Sequence, residues 1–266
     1  MAVTVKEVYD FLQEKAPFEL QFGFDNAGFL VGRGDRPVTK ILVALDITEQ
    51  VALEAAELGA QLVVSHHPVI WDGPKSITDG SLIGRKLLAL IENGTAAICA
   101  HTNLDSVADG VNDVLARTLG LTQIGQLRQE GVDEQGRPYG IGRVGVLPNG
   151  GGSCEQFAAA VKAALGSNGV RYVDSGKPVC KVAVGGGSCG DYVGDAIAQG
   201  CDTFVTADIK YDGFLDAKAK ELNLIDAGHY PTENLICPIL VNWLNERFPQ
   251  VETVVSRKHQ EVFSYL

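Results

Sequence analysis

One stretch of this chain resembles another stretch of the same chain. Lys40–Ser65 (KILVALDITEQVALEAAELGAQLVVS) lies without gaps over Lys181–Thr206 (KVAVGGGSCGDYVGDAIAQGCDTFVT). Each copy reads as an apolar β-rich run, a turn, an amphipathic segment, a glycine and a second β-rich run, the pattern of a βαβ unit. Any two βαβ units share that much. The continuation is more telling: after a further helix and strand, each copy reaches a histidine with a carboxylate four residues later. These endings are His101-Thr-Asn-Leu-Asp105 and His229-Tyr-Pro-Thr-Glu233. An α/β fold of two similar halves is therefore expected, residues 1–126 and 127–266, with the site between them at the carboxyl ends of strands, where open α/β sheets bind ligands.

The same pattern predicts strands at Ile41–Leu45, Leu62–Ser65, Ala96–Ala100, Arg143–Leu147, Val170–Val173, Val182–Val184, Thr203–Thr206 and Leu224–Asp226. Helices are predicted at Thr4–Lys15, Glu49–Leu58, Leu82–Asn93, Glu155–Leu165, Tyr192–Gln199, Phe214–Leu222 and Leu235–Phe248. Thr4-x-x-Glu7 and Ser153-x-x-Gln156 read as capping boxes, in which side chain and backbone satisfy each other at a helix start. Gly59, Gly94, Gly120, Gly166 and Gly200 each follow a helical stretch, where a left-handed residue ends a helix. Leu121–Gly140, rich in glycine and charge, is expected to be a linker.

With 33 acidic against 22 basic residues the formal charge is −11. That argues against nucleic acid, whose phosphates require a basic face; an anionic small molecule held by metal ions remains compatible. The six cysteines are scattered without a C-x-x-C pair, which excludes a zinc ribbon or disulfide framework and fits a reducing, cytoplasmic setting. No leader or membrane-length apolar run is read.

The chain has five histidines, and four sit in three short loops after predicted strands. His66-His67-Pro68 follows LVVS, His101 follows AAICA, and His229 follows LNLIDAG. A lone strand-end histidine is usually a hydrogen-bonded surface group. Four in equivalent loops, accompanied by Asp105 and Glu233, point instead to metal. Imidazole and carboxylate together suit zinc, iron, manganese or cobalt better than calcium or magnesium. Three histidines and two carboxylates exceed one open catalytic site but suit two ions sharing a carboxylate about 3.5–4 Å apart. Adjacent side chains at a strand end diverge, so His67 and His66 suit one ion each.

At these residues the chain resembles the Nif-three-like family, whose bacterial members are often labelled GTP cyclohydrolase I type 2 homologues. The resemblance rests on His66-His67-Pro68, His101-x-x-x-Asp105, Gly228-His229-x-x-x-Glu233, Asp25-Asn26-x-Gly28 and Val205-Thr206-x-Asp208-Ile209-Lys210, and runs from Phe24 to about Leu244. It implies a dinuclear site with His66, His67, Asp105, His229 and Glu233 as ligands, Glu233 bridging and His101 orienting a ligand. It also implies a ring-shaped homohexamer without the inserted domain of longer members. Two departures stand out: Ala207 where the family has glycine, and Tyr211-Asp212 where histidines commonly follow the lysine.

The function expected is a metal-dependent hydrolase of a small nucleotide-like or phosphorylated substrate, with His101 or Asp208 moving protons. The rival is a non-catalytic metal-binding or regulatory protein. Gly185-x-Gly187-x-x-Gly190 nominally fits a dinucleotide fingerprint, but the family resemblance explains the segment without a nicotinamide cofactor; an anion-binding helix start is more credible, and a plain tight turn is the remaining reading. Ser188-Cys189 reads as inert rather than nucleophilic. Trp71 either lines the pocket or covers a core edge, and His259, outside every motif, is expected at the surface.

Overall fold

The computed structural model describes residues 2–266 and has a mixed α/β fold. The chain first forms β1 (Val3–Thr4), α1 (Val5–Lys15), β2 (Gly28–Val31), β3 (Pro37–Val38), β4 (Lys40–Ala44), α2 (Glu49–Glu57), β5 (Leu62–Ser65), α3 (Leu82–Glu92), β6 (Ala96–Cys99) and α4 (Thr102–Ser106). It continues through α5 (Val111–Thr118), β7 (Thr122–Val132), β8 (Pro138–Val146), α6 (Cys154–Leu165), β9 (Arg171–Val173), β10 (Lys181–Val184), α7 (Val193–Ala198), β11 (Thr203–Thr206) and α8 (Tyr211–Ala219). Last come β12 (Asn223–Asp226), α9 (His229–Glu233), α10 (Ile236–Arg247) and β13 (Glu252–Val255).

Two compact units result. One takes the chain up to Leu104 together with Ile236–Gln260; the other takes Asp105–Leu235 with Glu261–Leu266. These units follow spatial contact, which is a separate matter from where the two copies of the repeat begin and end in sequence. In the first unit the sheet order is β13-β4-β5-β6-β2, parallel except for β2 at the edge. In the second it is β7-β8-β10-β11-β12-β9, where parallel β10-β11-β12 are flanked by antiparallel β8 and β9. Each copy of the repeat thus supplies three neighbouring parallel strands, β4-β5-β6 and β10-β11-β12.

Helices on both faces explain why those strands read as unbroken apolar runs. All four residues of β5 are buried, as are all four of β6, β11 and β12. Leu42, Val63 and Ala97 pack with Val51 and Ala55 of α2 and Leu87 and Leu90 of α3. Val182, Val205 and Ile225 pack with Leu115 of α5 and Phe157 and Val161 of α6. Burying each such large aliphatic side chain contributes roughly 1.5–3 kcal/mol.

Both capping boxes form as read, Thr4 with Glu7 and Ser153 with Gln156. The five helix-ending glycines all have positive φ. Leu121–Gly140 is not a linker: it lies in the long antiparallel pair β7–β8, turning at Asp133–Gly136. Most of β7 is exposed, so no apolar alternation was needed to form it, and the sequence carries none. Strands β2 and β13 and the short helices α4 and α5 also escaped the sequence pattern. No helix among the described residues is long and apolar enough to cross a membrane.

Candidate metal centre

In the first unit, β5 and β6 are parallel neighbours, with Ser65 opposite Cys99 at their carboxyl ends. The chain leaving them carries His66 and His67 from one strand and His101 from the other. Backbone bonds hold the exit in place: His67 N donates to Leu45 O at 2.8 Å and Ala100 N to Ser65 O at 2.9 Å. One ring nitrogen from each histidine lies within 4.8 Å of the other two. Their ring centroids are 5.0, 5.1 and 5.3 Å apart.

Each of these rings is turned by an oxygen acceptor at Nδ1. His66 Nδ1 donates to Ala100 O at 2.8 Å, His67 Nδ1 to Asp46 Oδ1 at 2.8 Å, and His101 Nδ1 to Asp25 Oδ1 at 2.8 Å. A proton fixed on Nδ1 makes Nε2 the ligating nitrogen of a neutral imidazole. The side chain of Asp25 is fully buried and takes further bonds from Thr102 N, Thr102 Oγ1 and Asn26 N. Burial pushes its pKa up, but the bonds from His101 and Thr102 outweigh this and bring it down to about 2. The Asp25-Asn26 pair is thereby explained: Asp25 aims His101, while Asn26 Nδ2 ties to Ile70 O at 2.7 Å. Trp71 is half exposed, its ring 5.6 Å from that of His101 and 6.2 Å from that of Phe24, itself 65% exposed.

In the second unit, β12 runs through Ala227 and Gly228 into α9. His229 and Glu233 are one helical turn apart on α9, which is the physical meaning of the four-residue spacing. His229 Nε2 lies 3.0 Å from Glu233 Oε2, and Nδ1 2.7 Å from Asp208 Oδ2. Burial opposes a charged ring, yet Asp208 and Glu233 overcome it and raise the His229 pKa to about 11. A divalent cation at this pair would take the place of the Nε2 proton. Glu233, read from sequence as accompanying a loop histidine, ends the short helix α9 with its side chain buried. Asp105, read likewise beside a loop histidine, is buried on the short helix α4. A five-residue helix is too short to show a period in sequence.

The glycine-rich loop serves this pair. Gly187 has φ +61°, and a Cβ there would stand 2.1 Å from Glu233 Oε1 and 3.1 Å from His229 Nε2. Gly187 N donates to Thr232 Oγ1 at 3.0 Å, and Gly186 N to Asn112 Oδ1 at 2.9 Å. Asn112 Nδ2 in turn donates to Asp105 O at 3.0 Å. Gly187 is thus required by close approach to α9, whereas a Cβ at Gly185 would meet Cys189 and one at Gly190 would meet Ile209; α7 behind them is a short helix of six residues. Cys189 is buried, and burial with the charges of Asp105 and Glu233 pushes its thiol well above the usual range, so it is no nucleophile.

The structure therefore gathers His66, His67 and His101 in one unit and Asp208, His229 and Glu233 in the other, with Asp105 on α4. The donor set, imidazole with carboxylate and oriented by oxygen acceptors, fits borderline transition-metal ions. Asp46 and His259 were missed. Asp46 directly follows Leu45 at the end of β4, a strand-end carboxylate that could have been noticed. His259 is not at the surface: its side chain is 6% exposed and its Nε2 bonds Asp46 Oδ2 at 3.0 Å.

An α/β scaffold with histidines clustered at parallel strand ends defines a class of candidate metal-binding proteins. A sequence model of the Duf34/NIF3 family (NGG1p interacting factor 3) matches residues 3–261, and the chain belongs to that family. A Clostridium perfringens protein named GTP cyclohydrolase 1 type 2 homolog is 36% identical over 264 residues, covering 98% of this chain and 99% of the relative. The crystal structure of a Staphylococcus aureus hypothetical protein is similar with TM-score 0.92 and 30% identity, covering 100% of each chain. A Bacillus cereus protein related to NIF3 also superposes with TM-score 0.92, at 25% identity, covering 100% of this chain and 99% of that one.

Proposed function

We propose that the chain is a metal-dependent hydrolase holding two divalent ions (zinc, iron, manganese or cobalt) on His66, His67, Asp105, His229 and Glu233. The observation carrying this is the common setting of His66, His67, His101 and His229, each with Nδ1 on an oxygen acceptor, as in metal-ligating histidines. Glu233 is the bridging carboxylate in this reading. Divalent ions held by these residues would lower the pKa of a bound water and polarise the bond attacked. His101, aimed by the buried Asp25, moves a proton at Nε2, and Asp208 orients His229.

The substrate is a small nucleotide-like or phosphorylated compound. The exposed rings of Trp71 and Phe24 beside His101 offer a stacking surface for a planar base. A cavity of about 470 Å³ in the second unit, lined by Asp191, Asp208, Asp212 and Asp216 with Lys210 and Lys220, offers room for a small substrate beside Asp208. The relative's name extends this reading to GTP, with water attacking the guanine imidazole ring and formate leaving. The assembly proposed is a symmetric homo-oligomer, a hexamer by family resemblance.

Metal-loaded protein assayed against nucleotides and phosphoesters, with His66→Ala as the blank, tests this. Two ions per chain and turnover lost in the variant are expected, and Asp105→Ala should lose at least one ion. Two ions with no turnover on any compound would reduce the protein to a metal binder. No transition metal after metal-supplemented expression would end the reading.

A further inference from the structure

The chain's return to the first unit brings a second layer of support to His67. Strand β13 lies parallel to β4, with Val255 opposite Val43 and Ser256 N donating to Val43 O at 2.8 Å. Two strands running side by side leave their following residues at one sheet edge. After β4 that is Asp46, and after β13 it is the turn Ser256–His259. The turn is held by a buried acid of α2: Glu54 accepts from Ser256 Oγ, from Arg257 N at 2.8 Å and from Lys258 N at 3.3 Å. Ser256 Oγ also accepts from His259 N at 3.2 Å. His259 is thus fixed at its backbone before its ring reaches Asp46.

Asp46 then has one oxygen on each histidine: Oδ1 takes His67 Nδ1 at 2.8 Å, and Oδ2 takes His259 Nε2 at 3.0 Å. A carboxylate held by one oxygen can still rotate about its terminal bond; held by both, its plane is set. We infer that His259 is a positioning residue for metal binding, locking the Asp46 carboxylate so that it holds the His67 ring with Nε2 directed at a divalent ion. The inference rests on the proposed ligand role of His67.

The test is a cobalt(II) titration of metal-free wild type, His259→Leu and His259→Gln, read by visible absorption. Outer groups of this kind typically govern metal affinity by about 10–100-fold, and His259→Leu should lose that much at one ion. His259→Gln, whose amide N–H can still reach Asp46, should stay within about threefold of wild type, a rescue that general packing would not give. Wild-type affinity in the leucine variant overturns the inference. So does equal weakening in both variants together with a lowered melting temperature of the metal-free protein. Failure of the wild type to bind cobalt at all would instead overturn the ligand assignment, and this inference with it.

Discussion

The two copies of the repeat place different chemistry at matching positions. Extended by two residues, the ungapped match sets His67 against Asp208 and, earlier, Asp46 against Gly187. In the first copy a carboxylate at the end of β4 holds a histidine at the end of β5. In the second, the carboxylate is Asp208, two residues beyond the end of β11, and it holds His229 after β12. Glycine at position 187 leaves the space that Glu233 fills. The first unit therefore gathers three imidazoles and the second an imidazole against two acids. One scaffold has been tuned at its loops into a nitrogen-rich and an oxygen-rich donor set, with the backbone order of the strands unchanged.

The largest effect should come from the oxygen-rich side. If Glu233 bridges, Glu233→Gln abolishes binding of both ions, because two cations lose the charge that screens their repulsion. His67→Ala removes a terminal nitrogen and should leave one ion bound and the other weakened. Titration calorimetry on metal-free variants separates them. Near-normal binding of two ions by Glu233→Gln would place the bridge elsewhere and break the contrast between the units.

Next in size is the anchoring of each unit. The second unit buries a cation: Arg143 on β8 is 2% exposed, pairs with Asp113 and donates to Ser106 O and Val107 O just beyond Asp105. The first buries an anion, Glu54, under the turn that carries His259. Arg143→Ala strands Asp113 and those carbonyls and should cost about 3–5 kcal/mol. A urea midpoint unchanged from wild type would show that Arg143 anchors nothing.

The units should also respond to opposite ends of the pH scale. The Asp25 carboxyl is held at about 2 in the folded protein, below its ordinary 3.8, so its stabilisation is complete above pH 4 and is lost as pH falls through 2. The shift corresponds to roughly 2 kcal/mol. His229 is raised to about 11 from 6.5, so in metal-free protein its contribution is complete below pH 6.5 and is lost as pH rises through 11. Denaturant midpoints of metal-free Asp25→Asn and His229→Gln, followed across pH, should flatten the acid and alkaline limbs respectively. Both limbs intact in both variants would contradict the electrostatics of both sites.

Much of this was legible in sequence because buried parallel strands write themselves as apolar runs, and their ends announce the loops. The five proposed ligands and His101 all sit at or just beyond those ends. Other features left no such trace. Helices α4 and α9 are five residues each, below the length at which a 3.6-residue period can register, so Asp105 and Glu233 were read in the wrong setting. His259 depends on β13 returning beside β4, a pairing between residues more than 200 positions apart. The β7–β8 pair is largely solvated along β7 and so carries a linker's composition while being a sheet.

The smallest expected effect separates backbone strain from chemistry within one unit. Gly136 and Gly187 both lie in the left-handed region, φ +74° and +61°. A side chain at either position is strained by about 1–2 kcal/mol. At Gly136, in the β7–β8 turn, nothing lies within 4 Å of an added Cβ, so Gly136→Ala should cost that strain alone and leave metal content untouched. At Gly187 the added atom would meet Glu233 Oε1 and must push the carboxylate aside or move the loop. Gly187→Ala should therefore reduce metal content beyond what its loss of stability explains. Melting temperature and elemental analysis on the two variants make the comparison. Equal stability losses with full metal content in both would mean that the glycine loop shapes a turn and nothing more.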